Sequence, residues 1–353
     1  MSEEAARPLA RDAMAPPAAE WGRRLSDRIR AALDAGDLDG ARRLAVEGDG
    51  EARSLEKEYA LMYKGLGITI RILLDLLGET VARCSASDRP VAGEALGKLL
   101  RRFKADMLAL FQRAWGASVE VAGSSGGGDV PGALTSTAHL LSEAERLFAR
   151  EQALRAQEVL QAIGRGETER ARALLDRKER DEYVPLHDRL VRFMAEAFGY
   201  VLTQFGPAEL YRFHRATAEG QRRGFEQWER LPAADFARAS VFLVKQHMGD
   251  LEVREDDEKF TIILTPCGSG GRLRLAGAYS GPEALPFVEG AGPLTAGRER
   301  FPVYCTHCPI WNDAAPREWF GRPQWVLENP SRSDGSCTVH IYKARDATGP
   351  AAR

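Results

Sequence analysis

The chain has 353 residues, of which 44% are hydrophobic and 28% are charged. That length predicts two or three packed units, and the composition is typical of a globular protein without an apolar run that could span a bilayer. Lys and Arg (49 residues) nearly balance Asp and Glu (51 residues), so the broad positive field needed for non-specific nucleic-acid binding is missing. We expect neither a membrane nor a nucleic acid as a partner.

The two ends of the chain, residues 1–19 and 346–353, are predicted to be tails. The first of them mixes Ala, Pro and Arg without the continuous apolar segment of a secretory signal. Five cysteines in a chain this long, with Cys84 isolated from the rest, do not resemble the framework of a small disulfide-stapled domain. We therefore expect a reducing, cytoplasmic compartment, with the thiols free or bound to metal.

An internal repeat relates residues 20–117 to residues 136–249. The matching positions are Ala35-Gly36-Asp37 with Arg165-Gly166-Glu167, offset by 130, and Ile70, Leu74, Leu77 and Gly78 with Phe198, Leu202, Phe205 and Gly206, offset by 128. Each copy predicts a helix that ends near a glycine, a second that begins at Asp37 or Glu167, and then a long apolar helix. Gly206-Pro207 should end the long helix of the second copy.

Two changes of composition divide the chain further. Residues 118–135 include Gly123-Ser-Ser-Gly-Gly-Gly128, which cannot bury enough apolar surface to become ordered and predicts a flexible linker. Asp235 to His247 predicts one more short helix. After Gly249 the sequence becomes rich in β-branched residues, aromatics, Gly and Pro. The predicted fold is mainly α, a duplicated helical unit followed by a small α+β cysteine-rich domain over residues 250–345.

Alternating apolar residues predict the strands of that last domain. Leu251 and Val253, then a charged turn, then Phe260 to Leu264 predict a hairpin. Trp325 to Leu327 and Thr338 to Tyr342 are two further strand candidates. Because side chains alternate along a strand, Cys337 should share a face with Val339 and Ile341.

Four of the five cysteines lie in this domain and could form one metal site. Cys267 ends the hairpin strand in a glycine-rich turn, and Cys337 begins the last strand. Cys305 and Cys308 form a C-x-x-C knuckle, whose spacing lets two thiolates bind one tetrahedral ion. The successive spacings of 38, 3 and 29 residues are not those of a zinc ribbon. We predict zinc, with reactive or redox thiols, an iron–sulfur cluster and simple core packing as the alternatives.

Two histidines are candidates for chemistry near such a site. His187 lies beside the apolar stripe of the long second-copy helix and could be an acid–base or catalytic residue; the alternative is a structural histidine in a helical turn. The first copy has Tyr59 at the equivalent position, which would leave a single active half. His307, inside the knuckle, could bind metal, donate a hydrogen bond to a thiolate, or be exposed.

The motifs around these residues resemble a family. Leu186-His187-Asp188, Cys267-Gly-Ser-Gly-Gly-Arg-Leu, Tyr304-Cys-Thr-His-Cys and Cys337-x-x-x-Ile-Tyr-Lys343 resemble a group of uncharacterised bacterial proteins. More distantly, the layout is similar to L-2-amino-thiazoline-4-carboxylic acid hydrolase-like proteins and to four-vinyl-reductase-like ligand-binding domains. The resemblance implies hydrolysis of a small sulfur- or nitrogen-containing acid.

Two functions follow as hypotheses. The first is a zinc-binding protein that binds or processes a small molecule at the junction of the helical and cysteine-rich parts. If this protein is an enzyme, we expect it to be hydrolase-like and to use a Cys thiolate or a metal-bound water together with His187. The second is a non-enzymatic binding or scaffold protein in which zinc is structural. Four thiolate ligands would close the zinc site, whereas three plus water would leave it catalytic.

Overall fold

The computed structural model describes residues 17–119, 129–328 and 330–346. The chain is mainly α-helical, with a small β-sheet region in its C-terminal part. Most of the two predicted tails, and residues 120–128 of the predicted linker, lie outside the described residues. The linker's last residues are helical, because α5 begins at Val130, where the Asp129 carboxylate accepts a hydrogen bond from the Gly132 amide at 3.0 Å.

The helices of the first 250 residues are α1 (Leu25–Asp34), α2 (Leu38–Glu47), α3 (Ala60–Ala82), α4 (Arg89–Trp115), α5 (Val130–Gly164), α6 (Thr168–Asp176), α7 (Val184–Glu229) and α8 (Ala233–Lys245). A π-helix, Arg177–Tyr183, connects α6 to α7. The predicted end of a helix at Gly206-Pro207 is confirmed, because Gly206 has non-helical angles (φ 83°, ψ 175°) within α7. The short helix predicted from Asp235 is confirmed as α8.

The two turns that motivated the repeat have the same local geometry. Gly36 and Gly166 both adopt left-handed angles, φ 74° and 70°, which glycine tolerates without steric cost. The amide of Asp37 bonds to the carbonyl of Ala32, and the amide of Glu167 bonds to that of Ala162, each at 2.9 Å. Further along the copies differ, since Gly206 interrupts α7 whereas Gly78 lies inside α3. The predicted duplication, which relates residues 20–117 to residues 136–249, remains a prediction.

The predicted strands are present in a four-stranded antiparallel sheet of order β1-β2-β6-β5. They are β1 (Leu251–Glu255), β2 (Lys259–Leu264), β5 (Val326–Glu328) and β6 (Cys337–Tyr342), and a separate pair joins β3 (Phe287–Glu289) to β4 (Arg300–Pro302). Cys337 packs with Val339 and Ile341 against one apolar cluster, as the alternation predicted. Three short helices complete this part: α9 (Gly270–Leu275), α10 (His307–Pro309) and α11 (Ala315–Phe320).

The chain separates into two compact units. We call Arg23–Ile68 with Leu100–Leu190 the helical unit, and the remaining described residues, 17–22, 69–99 and 191–346, the cysteine unit. Both units are discontinuous, since α3, α4 and α7 each have residues in both. No helix within the described ranges is both long and apolar enough to cross a membrane.

Candidate functional site

Three loops of the cysteine unit carry the four cysteines. Cys267 lies three residues past the end of β2, and Cys337 is the first residue of β6, in register with Leu264 of β2. Cys305 and Cys308 lie in the tight helical turns that follow β4. The antiparallel register therefore places the Cys267 and Cys337 loops at the same end of the sheet. The amide of Cys267 bonds to the carbonyl of Gly335 at 3.0 Å, which fixes the two loops to each other.

Two glycines let the backbone come close to the sulfurs. A Cβ atom on Gly270 would lie 2.8 Å from Cys305 Sγ, and one on Gly271 would lie 2.2 Å from the Gly335 carbonyl oxygen. Neither distance is compatible with a side chain unless the neighbouring group moves. The glycines of the Cys-Gly-Ser-Gly-Gly run therefore serve close packing of three loops, which explains their position in the sequence.

The structure brings the four thiols together. Each of Cys267, Cys305, Cys308 and Cys337 lies close enough to the other three for their charges to interact. Cys305 is 8% exposed and the other three are half-buried. Cys84 is also free; it lies two residues past the end of α3, and its Sγ is 3.5 Å from the Thr80 carbonyl oxygen in the last turns of that helix. The four cysteines that were predicted to form one candidate site are therefore close together in the structure.

The environment favours the protonated form of Cys305, Cys308 and Cys337, because burial raises the pKa of each. Burial, followed by the charge of Cys267 and Cys305, raises the pKa of Cys337 to about 12. Burial also raises the pKa of Cys308 well above its ordinary value, and the other three thiols raise it further. Two thiolates close together in a medium of low dielectric repel each other. The cluster can hold several thiolates only if a positive charge enters it.

Sequence reasoning missed the polar groups that surround the sulfurs. Arg274 Nη1 donates hydrogen bonds to Cys305 Sγ at 3.3 Å and to the Gly270 carbonyl at 3.1 Å. Ser331, which has a left-handed φ of 60°, lies near both Cys305 and Cys337, and its polar groups act to lower the pKa of these two thiols. Arg274 directly follows the Cys267-Gly-Ser-Gly-Gly-Arg-Leu motif, whose own arginine is Arg272. These groups would stabilise negative charge on sulfur.

His307 hydrogen-bonds to a cysteine of the knuckle. Its Nδ1 lies 2.5 Å from the Tyr304 carbonyl oxygen, and its Nε2 lies 3.3 Å from Cys308 Sγ. Because a carbonyl oxygen only accepts, Nδ1 carries the proton, and Nε2 accepts from the Cys308 thiol. Burial lowers the pKa of His307 to about 4, so the resting pair is a neutral imidazole and a thiol.

A second buried histidine supports the knuckle from α7. His214 Nε2 lies 2.7 Å from Thr306 Oγ1, and the Thr306 hydroxyl donates to the Val303 carbonyl at 2.6 Å. His214 therefore donates from Nε2, and its Nδ1 has no hydrogen-bond partner within the described part of the chain. The His214 ring also contacts Phe198 (centroids 4.5 Å apart) and Trp311 (6.0 Å). These contacts fix the knuckle against a helix of the same unit.

His187, the predicted catalytic residue, belongs to the helical unit. It is fully buried, its Nδ1 lies 2.8 Å from Asp188 Oδ1, and its ring centroid is 5.7 Å from that of Tyr183. Its catalytic role remains a prediction. Polar side chains that contact the cysteines of the other unit include Arg274, His307 and Ser269, whose Oγ lies 3.4 Å from Cys267 Sγ.

The donor set suits a thiophilic metal ion, although its arrangement is not that of a formed site. Across residues 17–119, 129–328 and 330–346, no group of three or more His, Cys, Asp or Glu side chains is arranged to hold a metal ion. Four mutually close thiols are nonetheless the ligand chemistry that zinc prefers, and the neighbouring Arg274 guanidinium would offset part of the negative charge of their thiolates. A divalent cation would supply the positive charge that these thiolates require.

In comparisons with known proteins, no family model matches the chain, and no curated protein or solved structure matches it either.

Proposed function

We propose that this chain is a zinc-binding protein in which Cys267, Cys305, Cys308 and Cys337 bind one ion as thiolates. The observation that carries the proposal is the convergence of four thiols from three loops, where each lies within electrostatic range of the others. The alternative of core packing alone accounts poorly for the hydrogen bond from Arg274 to the Cys305 sulfur. An iron–sulfur cluster would use the same thiolates and remains the second choice of metal group.

In this proposal the zinc stabilises the loops that hold it. Cys267 and Cys337 also pack against the apolar cluster of the sheet and α8, so metal binding would connect the knuckle to that core. A thiolate site contributes its binding free energy to the folded state, because the unfolded chain has no preformed site. Arg274 and the Ser331 groups would offset the net negative charge of a zinc ion with four thiolates.

The sequence also predicts a small-molecule site where helices meet the cysteine-rich part. Within the cysteine unit α7 makes that contact, through His214 with Thr306 and through Phe198 with His307, whose ring centroids lie 6.3 Å apart. Hydrolysis of a small sulfur- or nitrogen-containing acid, the activity implied by the family resemblance, would be placed there. We propose it as the enzymatic form of the same function.

Thiol chemistry at Cys308 is a second candidate, favoured by the 3.3 Å contact between Cys308 Sγ and His307 Nε2. An imidazole in this position can take the thiol proton as the sulfur attacks an electrophile. The low pKa of His307 and the high pKa of Cys308 keep both groups neutral at rest. Attack would therefore require proton transfer in the same step.

Metal analysis of matched cysteine variants tests the proposal. Purified wild-type protein and Cys84→Ser should each hold about one zinc ion per chain. Cys308→Ser and Cys267→Ser should lose the zinc and unfold at a lower temperature. Equal zinc content in all four proteins would contradict the site. Absence of zinc from folded wild-type protein, with fast alkylation of Cys308 that His307→Ala slows, would favour thiol chemistry instead.

A further inference from the structure

The π-helix of the helical unit places charged side chains in the interior. Lys178, Glu179, Glu182 and Tyr183 are each at most 3% exposed. Charged residues are almost never buried this completely unless they are paired or have a function, and π-helical segments are frequent at functional sites. Each of these buried charges is therefore expected to have an oppositely charged or hydrogen-bonding partner.

The Glu179 carboxylate has hydrogen-bonding partners for both of its oxygens. Arg30 Nη2 donates to its Oε2 at 2.6 Å, and the hydroxyls of Ser26 and Tyr59 donate to its Oε1. Although burial raises its pKa, the positive charges of Arg30 and Arg24 lower it, with a net effect below the ordinary value. Glu179 is thus a satisfied carboxylate that forms one wall of the cluster.

Lys178 and Glu58 are incompletely satisfied. Lys178 Nζ lies 3.6 Å from Glu58 Oε2, too far for a hydrogen bond, and 4.2 Å from the centre of the Tyr59 ring. Neither Nζ nor Oε2 has a hydrogen-bond partner among the residues that the structure describes. Burial lowers the pKa of Lys178 and raises that of Glu58. Whether ionised or neutral, the pair carries no net charge.

Glu182 uses only one of its oxygens. Arg155 donates to its Oε1 from Nε at 3.1 Å and from Nη2 at 2.6 Å, and Arg177 Nε donates to the same oxygen at 3.1 Å. The buried Oε2 has no partner in the described ranges. The charge of Glu182 is balanced by arginine, yet one acceptor remains open.

Gln152 adds an open amide to the same place. It is 1% exposed, and neither its amide oxygen nor its nitrogen has a hydrogen-bond partner within residues 17–119, 129–328 and 330–346. It lies one turn after Phe148 and three residues before Arg155 on α5. Phe148 contacts Tyr183 (ring centroids 6.0 Å apart) and Arg155 bonds to Glu182. Residues at these spacings share one helix face, so Gln152 faces the π-helix.

From these open groups we propose that the helical unit binds a small polar molecule without net charge, of the free amino-acid type. Buried polar groups in native proteins nearly always have partners, and here an ammonium, an amide and two carboxyl oxygens lack them together. Lys178 and the Gln152 nitrogen would donate to the carboxylate of the ligand. Glu58, Glu182 and the Gln152 oxygen would accept from its ammonium group, and the stacked rings of Tyr59 and Tyr183 (centroids 4.2 Å apart) would pack against it.

The absence of net charge on the ligand follows from charge balance. The Lys178 and Glu58 pair is neutral in sum, and the charge of Glu182 is balanced by Arg155 and Arg177, the first of which also pairs with Glu158. A ligand with a net charge would bring an unbalanced charge into the interior, which is strongly unfavourable. A zwitterion has no net charge, and it has a carboxylate for the open donors and an ammonium group for the open acceptors.

The experiment titrates common free amino acids, one at a time, into the full-length protein and follows thermal unfolding and the heat of binding. At least one should raise the melting temperature with increasing concentration. Gln152→Met should weaken its binding at least about tenfold, equivalent to about 1.4 kcal/mol. The matched control is Gln157→Met, the same change at an exposed position of the same helix, which should bind as wild type does.

Two results would overturn the proposal. One is that no amino acid shifts the melting temperature of wild-type protein, which would assign the open groups to ordered water. The other is equal binding by wild type and Gln152→Met. Should Gln152→Met not fold, as judged by its helical circular dichroism, Glu58→Gln provides the second test. It preserves shape and removes the charge, and it too should weaken binding. Loss of zinc binding at the four cysteines would not affect any of these outcomes.

Discussion

Arg274 Nη1 and Cys305 Sγ are 3.3 Å apart, and this contact joins the glycine-rich motif to the C-x-x-C knuckle. The same guanidinium bonds to the carbonyls of Gly270 and Arg332, so it touches all three loops of the cysteine centre. The hydrogen bond from this cation to sulfur is stronger if Cys305 is a thiolate. The contact therefore makes a direct prediction about metal binding.

Arg274→Gln should weaken zinc binding without abolishing it. A hydrogen bond to a charged group contributes about 1.5–3 kcal/mol, so the apparent affinity should fall about 10–100-fold. Competition with a chromophoric chelator measures this affinity. Arg300→Gln, at an exposed strand position of the same unit, should leave it unchanged. An unaltered affinity in Arg274→Gln would show that the sulfur it contacts is not a ligand.

Gly270→Ala should disturb the cysteine centre through a steric clash. The new Cβ would lie 2.8 Å from Cys305 Sγ and 3.1 Å from the Tyr304 ring, and overpacking of this kind costs about 1–3 kcal/mol. We expect a lower free energy of unfolding in urea and a lower zinc content. Gly292→Ala is the control, because a Cβ there meets nothing within 4 Å and its φ of 179° suits any residue. Equal stability of the two variants would contradict the packing described.

His214 should make the protein less stable in mild acid. Burial, and then the charge of His307, lowers its pKa well below the ordinary 6.5. Below pH 6.5 the unfolded chain binds a proton that folded His214 does not, so stability falls as the pH falls, by about 1.4 kcal/mol for each unit of pKa difference. The dependence stops at the folded pKa.

The variant His214→Phe tests this prediction. Its midpoint of urea unfolding should change less between pH 7.5 and pH 5 than that of the wild type. Thr306 keeps its bond to the Val303 carbonyl in this variant, and the new ring joins Phe198 and Trp311. An unchanged pH dependence would show that other groups produce it.

Arg155→Met should strongly destabilise the helical unit. The side chain of Glu182 is 0% exposed and that of Arg155 is 9% exposed, and removing one partner of a buried pair costs about 3–5 kcal/mol. Arg177 keeps its hydrogen bond to Glu182 in this variant, so the buried carboxylate is left only partly compensated. Adding Glu182→Gln removes that charge and should restore part of the loss, which a double-mutant cycle in urea would quantify. Arg146→Met breaks an exposed pair with Glu143 on the same helix and should cost less than about 1 kcal/mol. Similar losses for Arg155→Met and Arg146→Met would contradict this assignment.

The four strands of the main sheet and the turns at Gly36, Gly166 and Gly206 could be predicted because they follow from local pattern. Alternation from Phe260 to Leu264, and glycine at positions 36 and 166, determine backbone conformation with little help from the rest of the fold. The order of the sheet could not be predicted in this way. It depends on the pairing of β2 with β6, whose residues are far apart in sequence.

The candidate site was visible only in part for a similar reason. Cysteines at unusual spacing are a signal in themselves, and the structure brings those four together. Arg274 and Ser331 gave no comparable signal, because a charged residue in a short helix and a serine in a loop are ordinary surface residues in sequence. Residues 177–183 carried no expectation from the sequence, and the structure has a π-helix there with Lys178, Glu179 and Glu182 buried.

X-ray absorption at the zinc edge, on purified full-length protein, tests the central claim most directly because it counts the ligands of the metal. We predict about four sulfur neighbours at about 2.3 Å, reduced to about three in Cys267→Ser if that variant still binds zinc. Three sulfurs and one lighter atom in the wild type would indicate an open, catalytic site. A folded wild-type protein without zinc–sulfur scattering, in which all four thiols react freely with a thiol reagent, would contradict the assignment of a zinc site to these cysteines.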